Sequence, residues 1–193
     1  MRSAAVSRKT KETDIALSLT LDGAGRFSGS SGIGFLDHML DALCVHSRMD
    51  LTLAMTGDLE VDCHHSAEDL GIVLGQAMKE ALGDRAGIRR YGTAFVPMDE
   101  SLAFCSLDIS GRAYLVYDAK YEWQTVGELD TAMVGEFFRA LANAAGLTLH
   151  LAVVYGSNDH HKIEALFKAF AHALADAKEV VGGGVLSSKQ MLD

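Results

Sequence analysis

Ile15, Leu17, Leu19 and Leu21 alternate with smaller or polar residues, the period of two expected of a half-buried strand. The stretch before it, Arg8-Lys9-Thr10-Lys11-Glu12-Thr13, reads as a charged lead-in, and Gly23 and Gly25 turn the chain into a short second strand at 26–28. Phe35, Leu36, Met39, Leu40 and Leu43 recur at helical spacing. Leu51, Leu53 and Met55 predict another strand, and Leu70, Leu74, Ala77 and Ala81 a helix to about Leu82. Gly83-Asp84-Arg85-Ala86-Gly87 breaks the pattern, and strand signals resume at 91–98, 102–109 and 113–118. A helical stripe from about Thr131 carries Met133, Val134, Phe137, Phe138 and Leu141. Leu147, Leu149, Leu151 and Val153 then alternate as a strand, and Asn158-Asp159 is a ready cap for a last helix bearing Leu166, Phe170, Ala173 and Ala177.

The pattern is written twice. His64-His65-Ser66-Ala67-Glu68 is answered ninety-six residues on by His160-His161-Lys162-Ile163-Glu164. Leu51-Thr52-Leu53 and Leu147-Thr148-Leu149 stand at the same offset. Met39–Leu43 matches Phe137–Leu141 with a slip of two, which sets His38 against Glu136. This predicts an α+β fold made by internal duplication, each half a sheet covered on one face by two helices. The half-repeats are expected at 1–87 and 88–181, with a tail at 182–193, in one compact domain.

Composition narrows the choice. With 49% hydrophobic and 22% charged residues, the 193-residue chain is globular rather than disordered. A net charge of −9 argues against nucleic acid or an anionic membrane as partner. No apolar run has the length of a transmembrane helix and no signal peptide opens the chain. Three cysteines without a CxxC pair suit a reducing, cytoplasmic setting. Cys63 touches the first His pair, but Asp159 takes its place in the second copy, so it reads as a structural neighbour.

Residues three and four apart share a helix face, so Glu68 is expected beneath His64 and His65, and Glu164 beneath His160 and His161. One His-His pair is an ordinary helix start; two in register, each with its Glu, are not explained by capping. Pseudo-symmetry collects His38, His64, His65 and Glu68 with Glu136, His160, His161 and Glu164. Eight nitrogen and oxygen donors suit two octahedral ions with room for substrate, and the lack of thiolates points to manganese, iron or zinc in an open site.

At these residues the sequence resembles the imidazoleglycerol-phosphate dehydratases. The resemblance rests on Gly34-Phe35-Leu36-Asp37-His38-Met39-Leu40, on Asp62-Cys63-His64-His65-Ser66-Ala67-Glu68-Asp69, on Asn158-Asp159-His160-His161 with Glu164–Ala169, and on Ser187-Ser188-Lys189. It implies half-domains of the ribosomal protein S5 domain 2-like type, each with a four-stranded sheet. It also implies two Mn²⁺ per active site at subunit contacts and trimers assembled into a 24-mer. The implied reaction is loss of water from imidazole glycerol phosphate to give imidazole acetol phosphate in histidine biosynthesis. By the same resemblance Glu12 and Asp99 lie at the reacting diol. His46, Arg90, Arg112, Lys168, Ser188 and Lys189 match phosphate-binding positions, where cations suit phosphate through charge-assisted hydrogen bonds. The tail would fold over substrate and exclude water. Glu136 departs from the family pattern, in which many members carry His, and so do Ala42 and the residues flanking Ser188. A dinuclear-metal hydrolase and a non-catalytic, metal-assembled shell are the rival readings of the same residues.

Overall fold

The computed structural model describes residues 2–189; the end of the expected tail, 190–193, lies outside that range. The first half opens with strand β1 (Ser3–Lys9), which pairs antiparallel with β2 (Thr13–Thr20). Strand β3 (Phe27–Ser30) leads into helix α1 (Gly34–Ser47) and returns as β4 (Asp50–Gly57), parallel to β3 and antiparallel to β2. Helix α2 (His64–Leu82) closes the half. The second half repeats this with β5 (Tyr91–Met98), β6 (Ser101–Asp108) and β7 (Tyr114–Asp118), then α3 (Ala132–Ala145), β10 (Thr148–Tyr155) and α4 (Asp159–Ala177). The two sheets run β1-β2-β4-β3 and β5-β6-β10-β7, one topology used twice. The duplicated α+β architecture is therefore as expected.

Two elements were not foreseen. The charged lead-in spans the end of β1 and its turn into β2; β1 is a sheet-edge strand whose residues alternate between exposed and half-buried, so no hydrophobic run marks it. A two-stranded ribbon, β8 (Thr125–Val126) and β9 (Leu129–Asp130), is inserted before α3. The repeat also needs a shift. Leu149 and Leu151 in β10 answer Leu51 and Leu53 in β4, two residues later than the His spacing suggests, and a shorter loop before α4 restores the register.

The helices lie between the sheets and bury their apolar stripes twice over. Helix α2 packs on β1 and β2, α4 packs on β5 and β6, and across the halves α2 meets α3 and α1 meets α4. The result is a single core in which Phe137, Phe138, Phe167 and Phe170 stack at centroid distances of 4.8–5.4 Å. The α2–α3 crossing is close because Gly71 and Gly75 face it. A Cβ on Gly71 would lie 2.6 Å from the Phe137 carbonyl oxygen, and one on Gly75 would lie 2.6 Å from that of Leu141. These glycines seat the helix that bears His64, His65 and Glu68 directly on the helix that bears Glu136.

Candidate metal centre and active site

The N-terminal halves of α1 and α4 meet at one cluster. His38, His160 and Glu164 bring donor atoms within 4.8 Å of one another. Glu164 Oε2 lies 3.1 Å from His160 Nε2 and 3.4 Å from His38 Nε2, while its Oε1 takes the Lys168 ammonium at 2.6 Å. Burial alone would raise the Glu164 pKa. The Lys168 hydrogen bond and charge, the His160 hydrogen bond and the His38 charge outweigh that and hold it below its usual value. Phe35 packs against the His160 ring at 4.9 Å and walls the cluster. Two donors on one first-row ion, each at roughly 2.0–2.2 Å, lie no more than about 4.4 Å apart. A small inward movement of these three side chains therefore fits an ion, and two imidazoles with a carboxylate suit manganese, iron or zinc.

The second cluster is looser. His64 Nε2 stands 3.5 Å from Glu68 Oε2, both half exposed. Glu136 occupies the place in α3 that His38 occupies in α1, but its carboxylate is turned to Arg139 at 3.1 Å. The structure thus places Glu136 at the equivalent position, paired with Arg139, while His64 pairs with Glu68.

Only one histidine of each pair sits over its glutamate. Successive residues fan by about 100° around a helix, so His65 and His161 meet other carboxylates, and the expected sharing of each glutamate by both histidines of its own pair does not occur. His65 Nδ1 bonds Asp58 Oδ2 at 2.9 Å, and His161 Nδ1 bonds Glu100 Oε2 at 2.7 Å. Their Nε2 atoms face Glu12 at 3.9 Å and Asp99 at 3.7 Å. The Asp58 hydrogen bond raises the His65 pKa despite some desolvation, with the Glu12 and Asp58 charges adding to it. Glu100 is held well below the usual carboxylate range by His161 and then by the Asn158 amide. The Glu12 turn is anchored from below: Asp69, buried in α2, accepts from Thr13 Oγ1 and from the Arg8 guanidinium. Asp99 takes a left-handed φ of 47° in the β5–β6 turn.

The expected phosphate set falls into separate groups. His46, in the last turn of α1, stacks on His172 at 5.0 Å beside a cleft of about 750 Å³. Its pKa is lowered by burial, then by the His172 and Lys168 charges. Arg90 is buried, grips Asp108 at 2.6 and 3.0 Å, and donates to the Leu186 carbonyl oxygen at 2.5 Å. Leu186 precedes exposed Ser188 and Lys189, so Arg90 clasps the tail. Arg112 lies exposed in the turn between β6 and β7. Cys63 is structural, its Sγ accepting the Asp130 amide at 3.3 Å.

A profile of the imidazoleglycerol-phosphate dehydratases matches residues 31–174. The chain belongs to that family. It is 56% identical over 189 residues to the imidazoleglycerol-phosphate dehydratase of Acetivibrio thermocellus, covering 97% of both chains. It is 50% identical over 192 residues to that of Clostridioides difficile, covering 100% of both. Among solved structures, the imidazoleglycerol-phosphate dehydratase of Staphylococcus aureus superposes with a TM-score of 0.84 at 40% identity, over 92% of this chain and 99% of that one. The Pyrococcus furiosus enzyme gives 0.83 at 34% identity, over 97% and 100%.

Within this dehydratase fold, Asp58 and Glu100 are the site residues that sequence reasoning missed. A signal for Glu100 was present: it precedes Ser101 as Glu12 precedes Thr13, at the start of the second strand of each hairpin. Asp58 is marked only by following Gly57 at the end of β4.

Proposed function

We propose that the chain removes water from imidazole glycerol phosphate to give imidazole acetol phosphate, a step of histidine biosynthesis, using two Mn²⁺ ions per active site. The observation that supports this most is the pairing of metal donors with acids: a three-donor cluster where α1 meets α4 and a His64–Glu68 pair on α2, with Glu12 and Asp99 beside His65 and His161. His38, His160 and Glu164 would hold one ion, and His64, Glu68 and Glu136 would hold the other, with His65 and His161 completing the shells. When bound, such ions supply Lewis acidity to an azole ring and local positive charge for an anionic substrate.

This chain's residues carry the remaining steps. Glu12, half exposed beside His65, takes the proton from the carbon, and that bond pair forms the carbon–carbon double bond. Asp99 orients the departing hydroxyl, which leaves with a proton as water, and the resulting enol becomes the ketone. Lys168, on Glu164, and His46, on the cleft, bring donors towards the phosphate, and Arg90, Arg112, Ser188 and Lys189 complete its grip. We read 182–189 as a cover over bound substrate, and 1–87 and 88–181 as the two half-repeats. The His65 and His161 Nε2 atoms lie by Glu12 and Asp99, outside the His38–His160–Glu164 group, which supports sites completed between copies, in trimers that build a 24-mer in the cytoplasm. No described helix is long and apolar enough to cross a membrane.

Mn²⁺-loaded protein given imidazole glycerol phosphate tests the reading. Imidazole acetol phosphate without free phosphate supports it. Phosphate release would indicate a hydrolase, and an intact assembly without turnover would indicate a shell.

A further inference from the structure

The second histidine of each pair is held through Nδ1 by a carboxylate that is not itself a candidate ligand, and the two holders are built differently. Glu100 Oε1 accepts from Ser101 Oγ at 2.9 Å, from the Ser157 amide at 3.1 Å and hydroxyl at 3.4 Å, and from the Asn158 amide at 2.8 Å. Its Oε2 is left to His161 Nδ1 at 2.7 Å. Asp58 Oδ2 meets His65 Nδ1 at 2.9 Å, while its Oδ1 is buried with no hydrogen-bond partner among the described residues. An ionised carboxylate only accepts, so each contact requires a proton on Nδ1 and leaves the Nε2 lone pair free. A neutral imidazole has one such lone pair, and Nε2 is the atom facing Glu12 or Asp99.

We propose that Asp58 and Glu100 are positioning residues that fix His65 and His161 in the Nδ1–H tautomer and aim Nε2 at a divalent ion. This rests on the reading of His65 and His161 as ligands. The difference between the holders gives opposite consequences for nearly isosteric amides. In Glu100→Gln the four donors at Oε1, two of them backbone amides that cannot accept, hold the amide oxygen there, so the NH2 group faces His161 Nδ1. His161 must then accept at Nδ1, carry its proton on Nε2 and lose the ligand lone pair. In Asp58→Asn nothing at Oδ1 fixes the amide, so its oxygen still accepts from His65 Nδ1. A carboxylate needed only for charge or for folding would not distinguish these variants in this direction.

The test is Mn²⁺ titration of the metal-free full-length protein, with free Mn²⁺ read by electron paramagnetic resonance and no substrate present. Glu100→Gln and Asp58→Ala each weaken one class of Mn²⁺ site by about 10–100-fold, the usual effect of losing an outer-shell partner. Asp58→Asn binds nearly as the parent does. Parent-like binding by Glu100→Gln, or Asp58→Asn as weak as Asp58→Ala, overturns the proposal. If Glu100→Gln fails to fold, the Asp58 pair decides alone. Because binding is measured without turnover, failure of the dehydratase reading would show separately, as a lack of keto product with metal binding intact.

Discussion

Gly71→Ala sets two effects of comparable size against each other. Alanine favours a helix interior over glycine by about 1 kcal/mol. Against that, the new Cβ would sit 2.6 Å from the Phe137 carbonyl oxygen, 3.0 Å from Ala140 Cβ and 3.3 Å from the Leu141 amide nitrogen. Two of these atoms are α3 backbone and cannot rotate away. Gly75, one turn on, is 2.6 Å from the Leu141 oxygen by the same measure, so α2 has no room to slide along the crossing. Overpacking of this kind costs about 1–3 kcal/mol. The clash therefore wins by about 1 kcal/mol, which lowers the melting temperature by about 2–4 °C in a chain of this size. Thermal melts of the metal-free parent and variant at one protein concentration measure it. Since α2 is pushed from α3, Mn²⁺ binding that depends on His64, Glu68 and Glu136 should weaken more than binding at His38, His160 and Glu164. A higher melting temperature for Gly71→Ala would refute the close-crossing argument.

Glu12→Gln should lower turnover at least ~100-fold with metal content and assembly intact; near-normal turnover removes Glu12 from the chemistry. Lys189→Ala should raise KM for substrate while leaving Mn²⁺ affinity unchanged, in keeping with one lost charge-assisted bond of about 1.5–3 kcal/mol; unchanged KM and turnover leave the tail without a substrate role. Glu136→Ala should lose about half the bound metal and Glu136→His should restore it, since both side chains suit Mn²⁺; metal analysis showing two tightly held ions in Glu136→Ala rejects it as a ligand. The lowered His46 pKa means that the unfolded chain binds more protons there than the folded one. Its contribution to stability should therefore fall as pH drops through about 6.5 and below. Denaturant melts of His46→Asn should lack that part of the slope, and an unchanged slope counts against it.

Most of the fold was legible because its helices carry long apolar stripes and its central strands alternate cleanly. The duplicated His-His-Glu strings then tied the halves together. Strand β1 was hidden because an edge strand with one half-exposed face has no dense apolar pattern. The ribbon at 125–130 is too short for periodicity to reveal. The candidate metal donors were readable from helical spacing, but which histidine of each pair sits over its glutamate depends on rotation about the helix. Glu100 reaches His161 from a turn that only tertiary pairing brings close, whereas Asp58 reaches His65 from the loop just before its own helix, where no periodic pattern marks it. The Arg90 clasp on Leu186 likewise spans residues far apart in the chain and has no local signature.

The most direct test is product formation by metal-free protein as Mn²⁺ is added back stepwise with imidazole glycerol phosphate present. Imidazole acetol phosphate should be absent without metal and rise until about two ions per chain are bound, the number the eight donor residues suit, with no inorganic phosphate released. Full activity without added metal, or inorganic phosphate in place of the keto product, would contradict it.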